Sequence, residues 1–412
     1  MEKDFQDKKF NAKFFLLAGK TAGIMLFFRP IIYFIFSRRR ELNEAADVDL
    51  SAGIFALYSI AIFLVGYITL LRTSKNSIGK KLIKNGPIYS FLLYSFICLL
   101  STIWSVNPAM TFYRSFECIS FVLLIIAIIQ NILSKYSFDI LIRWFIGYIF
   151  IEVFISVLAA IRNNEGLTGI IVSAQMSATI FIFLVIFCCK NKIIKYALIA
   201  IAIISHSTTS YIGMLFGTTY LSFYYPKWRQ LFIVLVLLVL PGVLFINPTA
   251  ILKSTIFINH PEIVDSWDFS SYSSGRDNIF ETVLEEVSDN ALGYGFVAGE
   301  NHILYARNFR AISCHNSFLS SLVGCGYLGL LFFTVFLISC FKSLLKIKQP
   351  IKIKSAIVAS FLIVLVHILA NPTIGTRISG SWISSFIVVS LISASTLYIK
   401  NNENIIFESS LS

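Results

Sequence analysis

The fold class predicted for this chain is all-α, a polytopic membrane bundle, and three observations predict it. Of its 412 residues, 57% are hydrophobic and only 14% are charged. With a mean hydropathy of +0.78, the chain is more apolar than a soluble domain can be while still covering its surface. Apolar runs of membrane-spanning length recur throughout, so residues 1–412 read as one multi-spanning domain. Runs such as FISVLAA, ATIFIFLVIFCC and LFIVLVLLVL lack the alternation of barrel strands, which leaves helices as the spanning element.

Taken in order, the expected spans are 14–36, 52–71, 87–104, 112–134, 140–161, 171–189, 193–206, 210–225, 231–247, 317–341, 355–370 and 381–399, about twelve in all. The N-terminal MEKDFQDKKFNAK is mixed in charge and no small-residue cleavage site follows its first apolar run, so the first span is expected to stay, although Lys20 and Arg29 interrupt it. The seventh span is short, and with the eighth it reads as a broken pair around HSTTS. With a cytoplasmic N-terminus, the connections RTSKNSIGKKLIKN, KNKIIK, PKWRQ and KSLLKIKQPIKIK fall inside, all basic and without acidic residues. The positive-inside rule then puts both termini in the cytoplasm, with SRRRELNEAADVDL as its exception.

The opposite set of connections includes a long excursion, 247–315, which this orientation places outside. Within it an amphipathic helix is expected near 276–290: Ser274 is a plausible N-cap, Ile279/Phe280, Val283/Leu284 and Val287 form an apolar stripe, and Gly293 and Gly295 end it. Such a helix packs its stripe on neighbouring spans or on lipid.

Seven cysteines carry no disulfide or zinc pattern: six lie inside apolar spans and Cys314 alone in a loop. The net charge of +12 is concentrated between spans as a topology signal, so nucleic acid is not an expected partner.

Candidate chemistry gathers outside. Arg276 at a helix start combines free N–H groups, the positive end of a dipole and a guanidinium fork, which suit a phosphate or pyrophosphate oxygen pair; the alternative is a surface arginine beside Asp277 and Asp289. His315 stands where the excursion re-enters the bilayer, where an imidazole can accept a proton, with Asn316 to orient it or the acceptor. The alternative is a polar pair opening the tenth span, with Asn316 or Ser317 as its cap. Arg114, Arg310 and Arg377 lie at outside span ends or loops, as anion ligands or as ordinary snorkelling anchors. Asp47 and Asp49 read either as a solvated loop or as a divalent-cation pair. His206 reads as a polar residue in a helix break and His367 as an intramembrane hydrogen-bonding residue.

SSGRDNIFETVLEEVSDNALGYGF resembles the loop motif of the bacterial O-antigen ligase and O-antigen polymerase family, an S-G-R, a helix and a G-x-G. CHNSFLSSLVGCGYLGLLFF resembles its H-N continuation, with weaker echoes in WSVNPAMTFYRSF and GLTGIIVSAQMSA. The resemblance implies a GT-C-like membrane glycosyltransferase of the inner membrane with a periplasmic active site. Its donor is a glycan on undecaprenyl pyrophosphate, attacked by an acceptor-glycan hydroxyl with inversion, without metal, cofactor or nucleotide sugar. It makes His315 the base and Arg276 a pyrophosphate ligand. One departure is Thr208 in ISHSTTSY, where the family carries a basic residue, so that Arg114, Arg377 or His206 would supply the second contact.

The expected activity is polymerisation of lipid-linked repeat units of a surface polysaccharide, with membrane lipids and a chain-length regulator as further partners. The alternatives are ligation of O-antigen to lipid A-core, a metal-dependent transferase using Asp47 and Asp49, and a flippase or transporter. Mid-span charge is sparse (Lys20, Arg29, Arg143 and Glu152) and no internal repeat is visible, both of which disfavour a transporter.

Overall fold

The computed structural model describes residues 20–36, 50–71, 77–162, 167–204, 208–225, 276–307, 309, 313–347, 349–371 and 373–409. Among them every regular element is helical. These are α1 (20–36), α2 (Leu50–Leu71), α3 (Ile78–Ile83), α4 (Gly86–Leu100) with a 3-10 turn (Ser101–Trp104), α5 (Pro108–Leu133), α6 (Phe138–Arg162) and α7 (Leu167–Cys188). They continue as α8 (Lys192–Ile204), α9 (Thr208–Tyr224), α10 (Arg276–Asp289), α11 (Ala298–Ala306), α12 (Ser317–Leu345), α13 (Ile351–Ala370) and α14 (Gly380–Ser409).

Among the described residues seven segments are long and apolar enough to cross a membrane: Leu50–Leu71, Gly86–Trp104, Pro108–Leu133, Phe138–Ala159, Ser317–Leu345, Ile351–Ala370 and Gly380–Leu397. Each coincides with an expected span. The count of twelve is not reached among the described residues. The apolar part of α7, Ala174–Cys188, is shorter, and α8 has 13 residues, about 20 Å of helix against a hydrocarbon core of about 30 Å. The expected span 231–247, His206, Arg310, Asp47 and Asp49 lie outside the described residues.

The centre of the bundle is α14, which packs against α3, α4, α5, α6, α7, α12 and α13. Its serines explain how one helix takes so many neighbours. Ser381, Ser384, Ser385, Ser390, Ser393 and Ser395 are all buried, and small side chains let helices approach closely in a membrane. Ser384 satisfies its hydroxyl on the Gly380 carbonyl at 2.8 Å. At the periphery the burial pattern inverts: Tyr327, Leu331, Val335, Ile338, Phe341 and Leu345 make one exposed apolar stripe along α12, as a lipid-facing side requires.

The helix α12 is broken at Gly326, where the backbone takes φ 64° and ψ −162°. The turn that follows α10 fills the break. Tyr294 N–H and Gly295 N–H donate to the carbonyls of Val323 and Gly324, each at 2.8 Å, and Tyr327 N–H donates to the Ala291 carbonyl at 3.1 Å. The same turn is gripped from α4 and its 3-10 extension, for Phe296 N–H donates to Ser101 Oγ at 3.0 Å and Trp104 Nε1 to the Leu292 carbonyl at 2.8 Å. Three sequence stretches far apart, WSVN, LGYGF and GCGYLG, therefore form one joint. As its stripe predicted, α10 buries Ile279, Val283 and Val287 against α11 and α12, through Ile303, Leu304, Leu322 and Val323. Leu284 is exposed, so the buried stripe is narrower than expected.

Candidate functional site

The helix α12 begins at a cap that the sequence made legible. Asn316 Oδ1 accepts from Phe318 N–H at 2.8 Å and Leu319 N–H at 3.2 Å, filling two of the donors that a helix start leaves open. Its Nδ2 donates to the Leu369 carbonyl at 3.0 Å, tying this start to the end of α13. Asn316 thus stands as the cap of α12. Immediately before it, half-buried His315 adopts φ 51°, a left-handed conformation uncommon for a residue with a Cβ.

The segment 371–379 runs beside this start. Ser317 Oγ accepts from Thr373 N–H at 3.3 Å, and Tyr94 Oη donates to the Gly375 carbonyl at 3.0 Å while meeting Ser321 Oγ at 2.9 Å. The segment is therefore held by α4 and α12, and it carries Arg377. Burial is the main force lowering the pKa of Arg377, and the positive charge of Arg114 lowers it further, while Tyr33 and Glu300 act in the opposite sense. Two of the sequence-predicted arginines, more than 250 positions apart in the chain, thus stand close enough to repel each other. Arg114 has a carboxylate partner, Glu117 at 2.9 Å. Among the described residues Arg377 has none within 4.0 Å, which leaves a guanidinium fork available to an anion.

Sequence reasoning missed Glu300. It lies on α11, is 3% exposed, accepts Cys314 N–H at 3.1 Å and bonds to Ser320 Oγ. Burial raises its carboxyl above the usual range, and Ser320, Cys314 and Arg377 counteract that in part. The only signal in the sequence was an acid inside the otherwise mild FVAGENHILYA.

Arg276 is the first residue of α10, as predicted, but the placement of its side chain lies outside the described residues. Two of the sparse mid-span charges pair: Arg29 Nη1 meets Glu152 Oε1 at 3.2 Å, and Tyr148 Oη donates to Glu152 Oε2 at 3.1 Å. Arg29 Nη2 also reaches the Ile378 carbonyl at 3.5 Å, next to Arg377. His367 is the hydrogen-bonding residue expected, with Nδ1 at 3.0 Å from Asn371 Nδ2 and Nε2 at 3.5 Å from Ser210 Oγ.

No curated protein sequence matches the chain. A family model described as O-Antigen ligase matches residues 193–334. The matched segment, about a third of the chain, includes the starts of α10 and α12, Glu300 and His315, while Arg114 and Arg377 lie outside it. Residues 193–334 are thus similar to the O-antigen ligase family, and with seven apolar segments of spanning length among its described residues the chain is a multi-pass membrane protein.

Proposed function

We propose that the protein is a glycosyltransferase that joins undecaprenyl-pyrophosphate-linked repeat units of a surface polysaccharide on the periplasmic face of the inner membrane. The observation that supports this reading is that the segment bearing Arg377 runs beside the start of α12 that follows His315, with the charge of Arg114 acting on Arg377, in a chain whose residues 193–334 match the family model. Two mutually repelling guanidinium groups suit the negative charge of a departing pyrophosphate. In the reaction the anomeric C–O bond to the pyrophosphate breaks and its electron pair leaves with undecaprenyl pyrophosphate. The acceptor hydroxyl forms the new C–O bond from the opposite face, with inversion, and its proton passes to the His315 imidazole. In this proposal Arg276, the first residue of α10, is a further ligand of the same anion. The twelve-span GT-C-like arrangement, the single domain and the cytoplasmic termini belong to this proposal, as do the acceptor glycan and a chain-length regulator as partners. Ligation of glycan to lipid A-core uses the same chemistry with another acceptor and is the second reading, equally consistent with the matched family model.

The test is complementation of a strain lacking this protein with His315→Ala and Arg377→Ala, reading polysaccharide ladders beside the membrane level of each variant. Both variants are expected at wild-type level with the ladder lost. A normal ladder from His315→Ala refutes the assignment of the base. Core capped by single repeats marks a lost polymerase; lipid-linked polymer accumulating with no capped core marks a lost ligase.

A further inference from the structure

We infer that Glu300 is a positioning residue that holds His315 at the mouth of the site. The inference rests on the proposed role of His315 as the base. A residue with a Cβ at φ 51° is in an uncommon backbone state and persists where its neighbours impose it. Those neighbours are visible on both sides. After His315, Asn316 is locked as the cap of α12 and onto Leu369. Before it, Cys314 N–H is fixed by Glu300 Oε1 at 3.1 Å, and the same oxygen bonds to Ser320 Oγ one turn into α12. Glu300 thus bridges the residue preceding His315 to the helix following it.

A purely structural role is a poor explanation for a carboxyl group here. Glu300 is buried, and among the described residues no cation lies within 4.0 Å of it. A buried carboxyl without a charged partner is costly, and what offsets that cost here are the bonds its oxygen accepts on either side of His315, from Cys314 N–H and Ser320 Oγ. The helix that carries it is itself held by the excursion motif: α11 starts from Val297 at φ 63°, and Gly299 N–H donates to the Gly295 carbonyl at 2.8 Å. The G-Y-G-F turn therefore sets α11, α11 sets Glu300, and Glu300 sets the turn that bears His315. This explains in mechanical terms why two motifs separated in sequence serve one site.

The test uses the full chain in membranes, with lipid-linked repeat units extracted from its own host as donor and acceptor, and measures kcat and the donor KM. Both bonds end on one oxygen, so Glu300→Gln keeps them through its amide oxygen and is expected within about threefold of wild-type kcat. Glu300→Asp keeps the charge but withdraws the oxygen by one methylene, and Glu300→Ala removes it. Both are expected to lose about 100-fold in kcat with the donor KM changed by less than about twofold, the signature of a misplaced base. Wild-type kcat in Glu300→Ala, equal inactivity of Glu300→Gln and Glu300→Ala, or a loss confined to KM would each overturn the inference. If the Asp and Ala variants fail to accumulate, Ser320→Ala decides: a drop in kcat of about tenfold supports the bridge and unchanged kcat overturns it. An active His315→Ala refutes the reading of the base itself, whereas an inactive His315→Ala beside a fully active Glu300→Ala refutes only the positioning role.

Discussion

Arg377 is the residue at which the electrostatics of the site are most exposed to test. Its burial and its repulsion from Arg114 both oppose the charged form, so an arriving anion relieves a tension already present. Arg377→Ala is expected to lower kcat/KM by about 10- to 100-fold, the worth of a charge-assisted contact of about 1.5–3 kcal/mol, and Arg377→Lys is expected to recover only part of it. Kinetics on membranes containing equal amounts of each variant check this, and a Lys variant equal to wild type would argue against bidentate binding. Glu300 gives a pH prediction at the same scale. Its carboxyl is raised by burial, so the folded state holds its proton more tightly than the unfolded chain does. That contribution is complete at low pH and is lost as pH rises from the usual Glu value through the folded value. The melting temperature of wild type relative to Glu300→Gln is therefore expected to fall as pH is raised from about 4 to about 8. Thermal unfolding in detergent measures it, and a constant difference across that range would contradict the raised carboxyl.

Among the elements, α12 depends on its break. A Cβ added at Gly326 would lie 2.1 Å from the Ala291 carbonyl oxygen, on a backbone at φ +64°. Gly326→Ala is expected to cost at least about 1–2 kcal/mol from the backbone alone, and more through displacement of the G-Y-G-F turn. Loss of protection of the Tyr294 and Gly295 amides in hydrogen exchange would locate the damage at the joint, and unchanged protection would show that the break tolerates a side chain. The legibility of these elements was uneven. The seven long spans, the start of α10 and the cap at Asn316 follow from local apolar length, helix periodicity and cap chemistry, and all were readable. The break in α12 was not, because glycines in GCGYLG read equally well as close helix packing; only the partner strand of backbone from 291–295 makes them a broken turn.

For the whole molecule, the buried Arg29–Glu152 pair ties α1 to α6 and, through the Ile378 carbonyl, to the segment that carries Arg377. Glu152→Ala leaves Arg29 buried without its counter-charge and is expected to destabilise the bundle by about 3–5 kcal/mol, while Arg29→Met combined with Glu152→Leu is expected to recover most of that loss. A double-mutant cycle on thermal stability in detergent checks it, and additive losses would show that the two groups do not act as a pair. If the double variant folds but is slow, α1 also serves to steady the 371–379 segment. The sequence by itself determined the helical membrane class, the spans long enough to cross, the excursion with its amphipathic helix, and the candidacy of His315 and the arginines. These depend on composition, on periods within a single helix and on short contiguous motifs. Only the tertiary structure decided that Arg29 meets Glu152 across 123 positions, that the charge of Arg114 acts on Arg377, and that Glu300 bonds to Cys314 and Ser320 on either side of the turn at His315. Such pairings arise from which helices pack side by side, and a single chain's local pattern carries no information about its partner across the bundle.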